Sequence, residues 1–95
     1  MNWEKHIKDL SDDKDVSFRP KGNSMKPKIE SGDLVTISNV SKIKKGDIVL
    51  CKVKSKYYVH LVKAVGKNGY LIGNNHGGTN GWTNKVYGKV IKIEK

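Results

Sequence analysis

The stretch GNSMKPKIESGD, Gly22 to Asp33, sets one serine hydroxyl among turn-forming residues, with Met25 beside it and Pro27 close behind. Serine is a poor nucleophile at its own pKa. Chemistry at Ser24 therefore requires a neighbouring base and hydrogen-bond donors for the oxyanion. The chain supplies three histidines: His6 near the start, His60 in the run YYVHLVKAV, and His76 in the glycine-rich stretch GNNHGGTNGWTN. In an alternating strand Tyr58, His60 and Val62 fall on one face and Lys63 on the other. A histidine on such a face is partly shielded and held by the sheet, as a general base must be. The plainer readings are a satisfied, semi-buried histidine at position 60 and an ordinary turn hydroxyl at position 24.

The other polar and sulfur-bearing residues read more simply. Met25 fits a cleft wall or a core plug, and Pro27 and Gly32 shape the turns that present Ser24. Asp33 and Asp47 each precede a strand and read equally as turn acids that cap loop amides. Cys51 lies in an apolar run and reads as a buried, inert thiol. One cysteine excludes an internal disulfide and a multi-cysteine zinc site. His76 has no second ligand at useful spacing, so neither a metal nor another cofactor is expected.

Several elements must position these residues. Trp3, Ile7 and Leu10 recur at helical spacing and predict a short amphipathic helix within a terminal segment, residues 1–15. Asp12, Asp13 and Asp15 suit a helix C-terminus badly, which stops that helix near Leu10. LVTIS, Leu34 to Ser38, alternates as a strand. From Asp47 to Val65 the pattern is a hairpin with a tight turn at Ser55–Lys56, and Lys52, Lys54 and Lys56 share its wet face. Asn68-Gly69 is a hairpin signal before the short strand YLIG. KVYGKVIKIE alternates again as a closing strand, while GNNHGGTNGWTN reads as a connector whose Trp82 folds back on the sheet. The expectation is one mostly β domain over residues 1–95: five or six short antiparallel strands, coiled into a half-barrel, with one N-terminal helix.

The formal charge is +10, from 19 basic and 9 acidic residues, and Arg19 is the only arginine. Specific base reading leans on arginine and on Asn or Gln in a groove-docked element. Lysine spread over many strands fits a solvated exterior or weak attraction to nucleic-acid phosphates better. Tyr57 and Trp82 add aromatic surface for a nucleic-acid-binding reading, which rests on little else. No apolar run approaches the ~20 residues a transmembrane helix needs. The start, MNWEKHIKDLSDDKD, lacks the pattern of a secretory signal, so a soluble cytoplasmic protein is expected.

Taken in order, GNSMKP, ESGDLVTI, KKGDIVLCKV, YYVHLVKAV and YGKVIKI resemble the motifs of the signal-peptidase/LexA-type serine peptidase superfamily. The resemblance runs from about Phe18 to Ile93 and implies that superfamily's coiled β fold. It implies Ser24 as nucleophile and His60 as base, on the strand after the second Gly-Asp. Bacterial signal peptidases and LexA-type repressors carry lysine at that place, and endoplasmic-reticulum-type signal peptidases carry histidine. The histidine branch has Gly-Asp-x-Asn in the following loop. Here the loop reads GNN, which puts Asn74 where that acid would stand and leaves Asp33 as a substitute if the fold brings it close.

The resemblance thus implies a serine peptidase acting on a peptide or protein, with Met25, Asp33 and Asn74 as supporting candidates. The Ala-Gly or Cys-Gly bond of self-cleaving repressors is absent, so cleavage would occur in trans. The alternative is a catalytically silent member of the same fold, of the small phage or prophage type. Such a protein would be a regulatory binder of protein or nucleic acid.

Overall fold

The computed structural model describes residues 3–20, 25–40 and 42–95. Among them are one helix, α1 (Trp3–Ser11), and seven strands. The strands are β1 (Val16–Phe18), β2 (Leu34–Ser38), β3 (Ile48–Val53), β4 (Lys56–Val65), β5 (Tyr70–Gly73), β6 (Thr79–Thr83) and β7 (Val86–Glu94). They form one antiparallel sheet in the order β1-β2-β7-β3-β4-β5-β6. The fold is therefore mostly antiparallel β with one short N-terminal helix, and the sheet does not close.

Helix α1 buries Leu10 and packs Trp3 and Ile7 against the core. It runs one residue past Leu10 and stops through a paired cap. The Lys14 amide donates to the Asp9 carbonyl and the Asp13 amide to the Leu10 carbonyl. Asp13 takes the left-handed position at φ 60°, so an aspartate fills the place usually given to glycine.

Strand β3 explains how so small a sheet holds together. Leu50 joins the cluster beneath α1, with Val35, Ile37, Val59 and Leu61, while Val49, Cys51 and Val53 join a second cluster with Val62 and Ile72. Both faces of β3 are thus covered, which is why DIVLCKV reads as a nearly continuous apolar run rather than an alternation. Gly88 of β7 allows a close crossing: a Cβ there would sit 2.7 Å from Ile37 Cγ2 and 2.9 Å from the Ser38 carbonyl oxygen.

The structure corrects three details of the pattern. The β3–β4 turn falls at Lys54 and Ser55, with φ 50° and 70°, one residue earlier than expected. Two left-handed residues in succession give the turn whose twist matches paired strands. Lys54 consequently belongs to the turn, not to a strand face. Seven strands replace the expected five or six, because β1 and β6 join the sheet.

Strand β6 completes the coil. It pairs with β5, and its far end returns to β3, where the Thr83 hydroxyl donates to the Lys52 carbonyl at 2.7 Å. The Lys52 amide donates to the Lys85 carbonyl at 2.9 Å. Gly81, at φ 135°, lies where an added Cβ would be 3.4 Å from Val53 Cγ1. The segment read as a connector is thus a strand drawn across toward β3.

Candidate active site

His60 sits in the middle of β4 opposite Val49 of β3. It shares the coiled face with Val62 and Tyr58, both packed in the second cluster. The ring of Tyr58 lies 4.9 Å from the His60 ring, centroid to centroid. The alternation within YYVHLVKAV is therefore the observed one. His60 is half-buried.

The Nδ1 atom of His60 lies 2.7 Å from Oδ1 of Asn80 on β6. A carboxamide oxygen only accepts, so Nδ1 carries the hydrogen, and in the neutral ring the basic lone pair belongs to Nε2. Burial pushes the His60 pKa below its ordinary 6.5, and the Asn80 bond opposes that shift without reversing it. The result is an imidazole held in one orientation and kept neutral at physiological pH.

Asn80 was not among the residues singled out from the sequence. The only local signal is Asn80-Gly81, and that dipeptide reads as a turn. Its contact with His60 depends on β6 crossing the coil, which no local pattern encodes.

The other candidates take different places. Asn74 turns its carboxamide oxygen into its own loop, accepting from the amides of His76 and Gly78 at 2.9 Å each. Asp33 is buried beside β2, where Oδ2 accepts from the Glu30 amide at 2.8 Å and from Lys95 Nζ at 2.8 Å. The Lys95 hydrogen bond is the main cause holding the Asp33 carboxyl below its usual range, and the Glu30 amide adds to it. Met25 is a core plug, buried with Ile29 in the cluster under α1. Lys63 lies where the β4–β5 register slips, its aliphatic stem against Gly73.

Ser24 lies outside the described residues. The segment that follows it is fixed from several sides. Asn75 Nδ2 donates to the Lys26 carbonyl at 2.8 Å, joining the β5–β6 loop to the chain two residues beyond Ser24. Arg19 donates to the Gly32 carbonyl at 2.7 Å. The loop that touches Lys26 is the one that leads into Asn80 and so to His60.

His6 packs away from this region, stacked on Phe18 with ring centroids 5.0 Å apart. Cys51 is fully buried, and burial pushes its thiol up to about 12. Among the described residues no group of three or more His, Cys, Asp or Glu side chains is placed to hold a metal. No helix among them is long and apolar enough to cross a membrane.

The sheet is antiparallel and coiled, and it carries His60 on an inner strand, 36 residues after Ser24 in sequence. The family described as Peptidase S24-like matches residues 1–90, and the chain belongs to that family. No curated protein matches the chain.

Proposed function

We propose that the protein is a serine peptidase that hydrolyses peptide bonds in trans, with Ser24 as nucleophile and His60 as general base. The observation that carries this reading is the Nδ1–H···Oδ1 bond to Asn80, which leaves Nε2 as the basic nitrogen. Family membership over residues 1–90 supports it. So does the Asn75 bond, which brings the loop ahead of Asn80 against the chain beyond Ser24.

In this mechanism Nε2 takes the Ser24 proton as Oγ attacks the scissile carbonyl. Backbone amides near Ser24 hold the oxyanion of the tetrahedral intermediate. The C–N bond then breaks, and His60 returns the proton to the leaving amine. Water, deprotonated by the same nitrogen, hydrolyses the acyl ester, releases the carboxylic acid and regenerates Ser24. A neutral histidine begins this cycle ready to accept a proton, whereas a lysine in its place would first have to be desolvated.

Profiling a peptide library by mass spectrometry with the wild type, Ser24→Ala and His60→Ala tests this. Cleavage by the wild type alone is the expected result. Equal cleavage by Ser24→Ala, or none by the wild type, contradicts it.

The neutral amide behind His60 favours a second reading, a catalytically silent binder on the same fold. In a Ser-His-Asp triad, exchanging Asp for Asn lowers turnover by roughly four orders of magnitude. Unchanged recognition of a protein or nucleic-acid partner by Ser24→Ala, without cleavage by either form, is what that reading predicts.

A further inference from the structure

The β2–β7 ladder pairs Leu34 with Glu94, and one further step along it brings Lys95 beside Asp33. There the Lys95 ammonium gathers oxygens from the segment that follows Ser24. It donates to the Pro27 carbonyl at 3.3 Å, the Lys28 carbonyl at 3.1 Å and Asp33 Oδ2 at 2.8 Å. Glu30 Oε2 lies 3.9 Å away. An ammonium has three donors and no acceptor, so three converging oxygens use it fully.

These contacts link parts of the chain that are far apart in sequence. Pro27 and Lys28 lie inside a turn closed by the Ile29 amide on the Met25 carbonyl at 3.0 Å. Met25 is fixed in the core below that turn. Asp33 closes the other end, accepting from the Glu30 amide while its own amide donates to the Glu30 carbonyl. The two carbonyls of the turn and the carboxylate at its end therefore share one cation, brought there by the closing strand.

We infer that Lys95 is a positioning residue: it clamps the Met25–Asp33 segment, the chain that follows Ser24 directly in sequence. The catalytic half of this inference rests on the serine-peptidase reading above. Lys95 does not touch the reacting atoms. It acts by holding the turn, and small displacements of a nucleophile are costly because attack requires a near-aligned geometry. Lys95 also lies beyond the residues the family match covers, one residue past the end of β7.

The test compares the wild type, Lys95→Met, Lys95→Arg and, as a control, Lys92→Met, whose ion pair with Glu94 is exposed. Hydrogen exchange at the amides of Ile29, Glu30 and Asp33 is read first. In Lys95→Met these amides are expected to exchange at least about 10-fold faster while β3 and β4 keep their protection, the signature of local opening. The rate at which a fluorophosphonate modifies Ser24 is read second. A loss of about 10- to 100-fold is expected in Lys95→Met, with partial recovery in Lys95→Arg and none of it in Lys92→Met.

Unchanged exchange at the turn, or an equal rise across β3 and β4, overturns the clamp. Faster exchange with an unchanged modification rate overturns the positioning role. A wild type that is not modified at all removes the nucleophile reading and the catalytic half of this inference, and the exchange result still decides the clamp.

Discussion

His60 lies under two opposed influences: burial favours the neutral ring, and the Asn80 oxygen favours a proton on Nδ1. Burial is the larger, so the ring stays neutral until the pH falls below 6.5 toward its lowered pKa. Peptidase activity is accordingly expected to hold above pH 6.5 and to fall on the acid side as His60 is protonated. Asn80→Asp places a carboxylate behind Nδ1, which stabilises the imidazolium. Its acid limb should move to higher pH, and turnover should rise at least about tenfold, a fraction of the roughly four decades a triad carboxylate supplies. A pH profile of kcat/KM for both proteins checks this, and an unmoved limb refutes it. Cys51 gives a second check. With its thiol pushed up to about 12 and fully buried, it should resist a disulfide reagent in the native protein and react on denaturation.

Among the elements, β3 has the most to lose. Leu50 is fully buried in one cluster, while its neighbours Val49 and Cys51 enter the other. Leu50→Ala should therefore destabilise the fold by about 2–5 kcal/mol, measured as a loss in urea unfolding free energy. A change below about 0.5 kcal/mol, the range of ordinary surface substitutions, contradicts that packing.

The elements also show where local pattern stops informing. LVTIS and KVYGKVIKIE are legible from the alternation of their residue types, and YLIG from the Asn68-Gly69 turn signal ahead of it. VSF of β1 alternates buried, exposed, buried, but at three residues it is too short for that alternation to mark a strand. TNGWT of β6 has an Asn-Gly pair in its middle, and the turn preference of that pair masks a strand set by pairing with β5 and by the tie to Lys52. The hairpin turn slipped by one residue because Lys54 and Ser55 adopt left-handed angles that neither residue type advertises.

At the scale of the molecule, the coil of the sheet makes the candidate site. Order along the chain and alternation within β4 point to His60, since both are local. They do not reveal Asn80, which meets His60 only because β6 crosses toward β3. Asn74 matched an expected position in sequence, yet it caps its own loop. Asp33 stood near the serine in sequence, yet its carboxylate faces Lys95. The charge of +10 is a molecular property of the same kind. It favours anionic partners without choosing one. Trp82, 59% exposed beside Gly66, offers surface and no specific pocket.

Activation of Ser24 by His60 is tested by the site and rate of fluorophosphonate modification, mapped by tandem mass spectrometry. One adduct is expected, on the peptide containing Ser24, that is lost in Ser24→Ala and slowed by at least about 100-fold in His60→Ala. An adduct on another serine, no adduct, or an equal rate in His60→Ala contradicts it.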